Sequence, residues 1–332
     1  MKIAFFSLLN LIFCEGLSDM AWLKFYEKSL MNCAVKCHIL LYVVVLYAQP
    51  TLAQQEIKIS TWNMEWLDIK GNKRFKPSLR SNADFSKMSY YFRQIDTPIL
   101  AFQEVSSKAA IQRVVGENYT IYLSDRSDAK NQHLQFNDIN QYTGFAVKNG
   151  LSVSDPSDFS LLGDKRRDKL RFASYIVLHD RFKQPVHLLS LHLKARCSGQ
   201  YKSNDNCKTL KQQGVELNRW ILQREQRKQP YIISGDFNHN LAYPNDWLWK
   251  EIARYSQAHL STRNVNADCI VRSRNKPSRT HQFRSLIDHI VVSHHFVIDS
   301  AKQDLFARDD ILRYQLSDHC PLSITLSAVN SH

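Results

Sequence analysis

The sequence predicts a domain of layered α/β or α+β architecture, because segments with strand character alternate with segments of helical spacing. Residues 56–62 alternate polar and apolar side chains, which is typical of a strand with one buried face. Pro98–Phe102 and Tyr231–Ser234 are short apolar runs, which are typical of buried strands. No linker-like or repetitive stretch divides residues 54–332, so a single domain is expected there.

Helical spacing and end signals place three helices between these strands. The first is expected to begin with Asp84 as its cap and to end near Ile95. The second is expected over Ser107–Val115, ended by Gly116, and the third over Lys208–Gln226. Further strands are predicted at Tyr119–Leu123, Phe145–Lys148, Phe172–Leu178, Val186–Leu193, Phe283–Val292 and Leu322–Leu326. The third and fourth of these are expected to pair as a hairpin.

The first 53 residues have the pattern of an export signal rather than of a folded segment. Ile39–Ala48 is an apolar run of ten residues, too short to cross a bilayer comfortably as a helix, and Thr51–Ala53 offers small residues for cleavage. We therefore expect a true start at Met31, cleavage after Ala53, and a secreted or periplasmic protein without stable membrane association. A membrane anchor or a buried first helix is the alternative interpretation.

Composition favours an anionic partner and an oxidising compartment. The chain has 44 basic and 31 acidic residues, and without residues 1–53 the balance is 40 against 28, a net charge of +12. Such a field attracts polyanions but does not distinguish nucleic acid from an anionic membrane surface. Cys197 and Cys207 bracket a polar loop and are expected to form a disulfide; zinc is the runner-up, without a Cys-x-x-Cys pair. Cys320 is expected to be a buried thiol, and its pairing with Cys269 stays open.

Acidic, amide and histidine side chains follow several of the predicted strands. In the stretch Gly235-Asp236-Phe237-Asn238, continued strand geometry would place the carboxylate and the amide on one face. Gly235 is expected to allow a turn and the close approach of a ligand. Alone, most of these residues could cap a helix or form a turn, and His192 could be a core histidine, but the combination favours a metal and phosphate site at strand ends. The other residues of this kind are Asn63, Glu65, Glu104, His192, Asp288, Asp318 and His319.

Six short motifs give the sequence a family resemblance through their order. They are Trp-Asn-Met-Glu at 62–65, Gln-Glu at 103–104, Ser-Leu-His-Leu at 190–193, Gly-Asp-Phe-Asn at 235–238, Ile-Asp-His-Ile at 287–290 and Ser-Asp-His-Cys-Pro at 317–321. This order resembles the endonuclease/exonuclease/phosphatase superfamily, with the deoxyribonuclease I fold, and its secreted bacterial-type nucleases. The resemblance covers residues 56–327 and implies a four-layered sandwich of two packed, mainly antiparallel β-sheets flanked by helices.

The resemblance also implies divalent-metal chemistry. Glu104 resembles the principal metal ligand, helped by Asn63 and Glu65, and Asp318 resembles a second carboxylate on the metal side. Mg²⁺ is the expected ion, with Mn²⁺ or Ca²⁺ as alternatives.

The same resemblance implies catalytic roles. His319 resembles the histidine that faces the scissile phosphate, with Asp288 as its carboxylate partner. Asp236 resembles the residue that orients or activates the attacking water, and Asn238 resembles a phosphate and metal contact. His192 resembles the second histidine of the deoxyribonuclease branch.

The chain departs from that branch around His192. A glutamate pairs with the second histidine in deoxyribonuclease I, whereas residues 140–142 here are Asn-Gln-Tyr. Gln141 or Asp138 is therefore expected to orient His192, unless the ring acts mainly as a phosphate donor.

Two basic segments, Lys70–Arg80 and Lys165–Arg171, are expected to hold substrate phosphates, with solvated surface charge as the alternative for any one residue. Arg171 is the strongest single candidate. The further candidates are Arg167, Lys73, Arg74 and, for stacking on a nucleotide, Tyr142.

These observations predict a monomeric, exported, metal-dependent endonuclease of low sequence specificity that hydrolyses DNA, with RNA as a further substrate. A secreted sphingomyelinase-like phosphodiesterase is the alternative, but the loops at 124–141 and 194–207 are too polar for membrane docking. A non-catalytic binding module on the same fold is disfavoured because it need not retain the acidic and histidine residues.

Overall fold

A computed structural model describes residues 56–162 and 169–329. In these residues two six-stranded sheets pack against each other. The first sheet consists of β1 (Glu56–Leu67), β2 (Ile99–Val105), β3 (Tyr119–Leu123), β4 (Tyr142–Lys148), β13 (Phe296–Gln303) and β14 (Leu322–Ala328), in the order β13-β14-β1-β2-β4-β3. The predictions for residues 1–53 and for Arg167 lie outside the described residues.

The second sheet is built from the middle of the chain. It consists of β5 (Val153–Ser154), β6 (Ser174–Leu178), β7 (Val186–His192), β8 (Tyr231–Asp236), β9 (His259–Leu260) and β12 (Asp288–Val292), in the order β5-β6-β7-β8-β12-β9. Strands β6 and β7 pair as the predicted antiparallel hairpin. A separate two-stranded hairpin is formed by β10 (Ile270–Arg272) and β11 (Thr280–Gln282).

Helices cover the outer faces of the sheets, which confirms the expected layered sandwich. The helices are α1 (Asn82–Ile95), α2 (Lys108–Val115), α3 (Asp205–Gln226), α4 (Trp247–Ile252) and α5 (Arg308–Arg313). Helices α1, α2 and α5 share an apolar cluster with the first sheet, and α3 and α4 share one with the second. A third cluster, including Ile59, Phe145, Leu188 and Ile232, lies between the sheets.

Strand direction brings the site residues to one edge of the sandwich. Each sheet contains one parallel pair, β1–β2 in the first and β7–β8 in the second, and the other named pairs are antiparallel. The carboxyl ends of both parallel pairs carry polar residues. The antiparallel neighbours β12 and β14 begin toward the same edge: Asp288 pairs with Asp236 at the end of β8, and Leu322 pairs with Thr61, two residues before Asn63 in β1.

Several element boundaries differ from those expected. Ser81, not Asp84, is the N-cap of α1, because its side chain accepts the Asp84 N–H while the Asp84 carboxylate accepts the Ser81 N–H. Strand β12 begins at Asp288, so the strand expected from Phe283 was too long. The region 124–141, expected to be a loop, contains short 3₁₀ helices at 125–127 and 129–134.

Two disulfides join segments near the site edge. Cys197 pairs with Cys207, as expected. Cys320 pairs with Cys269 across 51 residues, so the expectation of a free buried thiol was wrong. No helix within residues 56–162 and 169–329 is long and apolar enough to cross a bilayer.

Candidate active site

A cavity of about 690 Å³ opens at the edge where the strand ends meet. It brings together most of the residues singled out in the sequence. Those lining it are Glu104, Gln141, Arg171, His192, Asp236, Asn238, Asp318 and His319. Asp288 lies next to this lining, hydrogen-bonded to His319.

Irregular backbone at the ends of β1 and β2 aims side chains into the cavity. Both strands shift register near their carboxyl ends. Glu65, Trp66 and Glu104 have φ values of 45°, 55° and 59°, in the left-handed region that non-glycine residues seldom occupy. The Glu104 carboxylate accepts the Trp66 backbone N–H at 3.1 Å and the Asn63 amide at 3.2 Å. Such bulges redirect side chains next to functional sites.

A partly buried arginine fixes this irregular segment. The Arg80 guanidinium donates to five backbone carbonyls, those of Met64, Glu65, Trp66, Gln315 and Leu316. Burial lowers its pKa to about 10, so it remains charged at neutral pH. Arg80 therefore has a structural role rather than the phosphate-gripping role considered for its segment.

His319 and Asp288 form a tight pair. The Nδ1–H of His319 donates to Asp288 Oδ2 at 2.7 Å, and Nε2 lies 3.9 Å from Asp236 Oδ2. Burial lowers the pKa of His319, but the charges of Asp288, Asp236 and Asp318 raise it more, so that it lies well above its usual value. The ring is therefore an imidazolium next to the cavity.

The β8–β12 register places Asp236 directly opposite Asp288. Burial raises the pKa of Asp236 to about 7, with the charge of His319 opposing the shift and that of Asp288 adding to it. Asp236 also accepts the Asn63 amide at 3.0 Å. Asp236 is thus a carboxylate poised to exchange a proton near neutral pH.

The turn after β8 differs from the expected continued strand. Asn238 has a φ of 52°, its N–H donates to Asp236 Oδ1 at 2.7 Å, and its side-chain amide donates to the Leu193 carbonyl at 3.1 Å. The two side chains are adjacent through this turn and not through strand alternation. Gly235, at φ 147°, is required because a Cβ there would lie 2.0 Å from the Leu191 carbonyl oxygen. The close approach is therefore made by the neighbouring strand β7, not by a ligand.

His192 is buried between two carboxylates. Its Nε2 lies 3.5 Å from Asp236 Oδ2 and 3.7 Å from Glu104 Oε1, and Nδ1 has no hydrogen-bond partner among the described residues. Burial, followed by the charges of Arg171 and His319, holds its pKa well below the usual value. A neutral ring facing carboxylates carries its proton on Nε2.

Neither expected partner orients His192. Gln141 accepts a hydrogen bond from Arg171, and Asp138 pairs with Arg74 at 3.1 Å. The expectation for both residues was wrong, because nearby guanidinium groups occupy them.

The family follows from comparison with known proteins. The sequence model of the "Endonuclease/Exonuclease/phosphatase family" matches residues 60–319. The chain belongs to this family. No curated protein sequence matched the chain.

Solved structures of the endonuclease/exonuclease/phosphatase family share its fold at low identity. An endonuclease/exonuclease/phosphatase from Bacteroides vulgatus is 15% identical, with a TM-score of 0.61, over 82% of this chain and 99% of that one. TDP2 from C. elegans is 16% identical, with a TM-score of 0.56, over 98% of this chain and 99% of that one. The mannosyl-6-phosphatase Bt3783 from Bacteroides thetaiotaomicron is 14% identical, with a TM-score of 0.53, over 81% of this chain and 99% of that one. The fold is therefore that of a phosphoesterase.

Enzymes of the endonuclease/exonuclease/phosphatase family generally use divalent metal ions, and the cavity contains oxygen donors suited to a hard cation. Burial, followed by the charge of Asp318, raises the pKa of Glu65 to about 8 although Arg80 and Arg274 oppose the shift. Crowded carboxylates of this kind fit a bound cation. Asn63 was expected to help Glu104 bind the metal. Its amide oxygen accepts the Glu65 N–H at 3.0 Å, so the side chain directs its amide nitrogen, and not its oxygen, toward Glu104.

A second group of possible metal ligands lies deeper. Among the described residues, potential ligand atoms of Asp236, Asp288 and His319 lie within 4.8 Å of one another. Asp288 and His319 already share a proton through their 2.7 Å hydrogen bond. That shared proton disfavours a cation between these three residues.

Basic residues surround the acidic centre of the cavity. Arg171 lines it, and burial lowers the pKa of Arg171, with the charges of Glu104 and Asp236 opposing the shift. Arg274 pairs with Asp318 and lies 3.7 Å from Glu65. Arg274 was missed in the sequence, although the alternation of basic residues over 272–279 could have indicated it.

Three other predicted phosphate contacts occupy different surroundings. Tyr142 is buried, and the Arg126 guanidinium lies 4.9 Å from its ring centroid, so the expected stacking on a nucleotide is corrected to core packing. Lys73 and Arg74 are exposed on the segment after β1 and are not among the residues that line the cavity.

Proposed function

We propose that the protein is a metal-dependent phosphodiesterase, and specifically an exported endonuclease of low sequence specificity with DNA as its favoured substrate and RNA as a further one. The observation that carries the proposal is the shared cavity. The carboxylates of Glu104 and Asp236, the imidazolium of His319 and the guanidinium of Arg171 all face it. This combination matches the needs of phosphodiester hydrolysis, which are charge neutralisation, a base for water and a proton for the leaving oxygen.

Each group has a role in this proposal. Asp236, with its pKa near 7, accepts a proton from the attacking water, and hydrogen bonds from Asn63 and Asn238 fix its orientation. His319, held protonated by Asp288, donates to the phosphate or the leaving oxygen. A Mg²⁺ ion bound on the side of Glu104, Glu65 and Asp318 would neutralise charge on the non-bridging oxygens.

Neutral His192 and charged Arg171 complete the site. His192 can donate its Nε2–H to a phosphate oxygen, because its pKa lies far below neutrality and its proton is shared only at long range with carboxylates. Arg171 stabilises the negative charge that builds up on the phosphate. Asn238 remains a candidate phosphate contact at the cavity wall.

Charge and disulfides support the choice of substrate class and compartment. The net charge of the whole chain is +13, and a positive field raises the encounter rate with polyanions. Two disulfides are typical of proteins in oxidising compartments.

The proposal is tested with supercoiled plasmid, incubated with the purified protein in Mg²⁺, Mn²⁺, Ca²⁺ or EDTA. We expect metal-dependent nicking that His319→Ala reduces by about 10²–10⁴-fold. His133→Ala is the matched control, because His133 is exposed and does not line the cavity. Plasmid that stays intact with every metal would contradict the nuclease proposal and would make sphingomyelin and mannose 6-phosphate the next substrates to test.

A further inference from the structure

The β10–β11 hairpin and the residue after it form one wall of the cavity. Residues Val271–Asn275, His281 and Phe283 line it. Phe283 is 42% exposed at the edge of this charged cavity. Its ring meets the His281 ring edge to face, with centroids 5.0 Å apart and planes at 90°. His281 therefore packs against a ring that is partly open to solvent.

Phe283 lines two depressions that both include His319 in their lining. One is the main cavity of about 690 Å³, and the other is a depression of about 240 Å³ lined by Phe283, Leu286, Asp288 and His319 among others. A flat group placed against Phe283 would therefore lie beside a phosphate at His319.

The hairpin is held at both of its ends. At its base, the Cys269–Cys320 disulfide joins the residue before β10 to the residue after His319. At its tip, Arg274 pairs with Asp318. A wall fixed on both sides to the histidine segment presents its aromatic surface at a set position, and such preorganisation reduces the entropic cost of binding.

We propose that Phe283, supported by His281, stacks on a nucleobase next to the scissile phosphate and selects nucleic acid over sugar phosphates and lipid headgroups. This inference rests on the proposed nuclease function and names the substrate feature that its site recognises. Stacking suits an enzyme of low sequence specificity, since every base has a π-face.

A second aromatic surface lies across the acidic centre. Trp66 lines the same cavity and stacks on Phe75, with ring centroids 4.4 Å apart and planes at 21°. Its backbone N–H binds Glu104. The cavity thus has an aromatic side chain on the metal side as well as on the histidine side, as expected for a strand whose successive bases flank the reacting phosphate.

The first test compares Phe283→Ala with wild-type protein on a DNA oligonucleotide. Base stacking on an aromatic side chain is worth roughly 5–150-fold in affinity, so we expect KM to rise by that factor while kcat changes little. Phe283→Trp should restore KM. Tyr255→Ala is the matched control, because Tyr255 is 90% exposed and does not line either depression.

The second test removes the base instead of the ring. A single tetrahydrofuran abasic unit is moved through the positions around a mapped cleavage site. For wild type, an abasic unit at one position next to the scissile phosphate should raise KM as much as Phe283→Ala does on the intact oligonucleotide. For Phe283→Ala, an abasic unit at that position should leave KM unchanged.

The results separate this inference from the function on which it rests. Wild-type protein that fails to cleave any oligonucleotide would contradict the nuclease function. Two results would overturn the stacking role alone, provided that the wild-type protein cleaves. One is a KM for Phe283→Ala equal to that of wild type. The other is a rise in KM, caused by Phe283→Ala, that is the same on the intact and the abasic oligonucleotide.

Discussion

Replacing Asp288 with asparagine tests how the charge behind His319 supports catalysis. The amide oxygen can still accept the Nδ1–H at the 2.7 Å position, but the negative charge that holds the ring protonated is lost. Hydrogen bonds between charged partners are about twice as strong as neutral ones. We expect kcat to fall by about 10²–10⁴-fold, equivalent to roughly 3–5 kcal/mol of barrier.

The same substitution has a calculable cost in stability. Asp288 Oδ1 is buried and has no hydrogen-bond partner among the described residues. An amide NH₂ at that position would be a buried donor without a partner, which costs about 1–3 kcal/mol of unfolding free energy.

The assay is plasmid nicking in Mg²⁺, with thermal melting to show that Asp288→Asn is folded at the assay temperature. Asp299→Asn is the matched control, because Asp299 is exposed on strand β13 and accepts only a serine hydroxyl in the described contacts. Turnover within threefold of wild type in folded Asp288→Asn protein would refute the role given to the carboxylate–histidine pair.

Two further predictions concern stability. Loop lengths of 51 and 10 residues imply that Cys269→Ser/Cys320→Ser loses about 4 kcal/mol and Cys197→Ser/Cys207→Ser about 3 kcal/mol in denaturant unfolding. Only the Cys269–Cys320 disulfide fixes the β10–β11 hairpin, so its loss should reduce plasmid nicking more than loss of Cys197–Cys207 does. Equal reductions in the two refolded variants would contradict this role of the Cys269–Cys320 disulfide. Burial lowers the pKa of His289 to about 3, so the stability from its neutral ring is present above pH 6.5 and is lost as pH falls toward 3, by about 1.4 kcal/mol per unit. In urea unfolding, the free energy of unfolding should fall less between pH 6.5 and pH 5 for His289→Gln than for wild type. Equal falls in the two proteins would contradict a neutral, buried His289.

The sequence was most informative where strands end in chemically distinctive residues. The apolar run before Asp236 predicted strand β8 and its polar end, and the apolar run around His192 predicted strand β7. The start of strand β12 at Asp288 was not predicted. The layers of the sandwich followed from the motif order rather than from periodicity.

Other features depend on contacts that no local pattern encodes. The left-handed backbone of Glu104 is held by a bulge and by distant groups, including Asn63. Tyr142 follows a polar segment, yet it packs under Arg126 because that guanidinium is buried by the surrounding loops. The two short strands that form the hairpin over the cavity lack clear alternation, and the Cys269–Cys320 bridge and Arg274 fix their position.

Metal dependence at this cavity is measured most directly as the initial rate of plasmid nicking against Mg²⁺ concentration, for wild type and Glu104→Gln. Glu104 faces the cavity with both carboxylate oxygens held by Asn63 and the Trp66 backbone. We expect a saturable Mg²⁺ dependence for wild type, and for Glu104→Gln a rate at least about 10²-fold lower that recovers only at higher Mg²⁺. Equal curves for the two proteins, or wild-type nicking that persists in EDTA, would contradict a metal-dependent phosphodiesterase centred on this cavity.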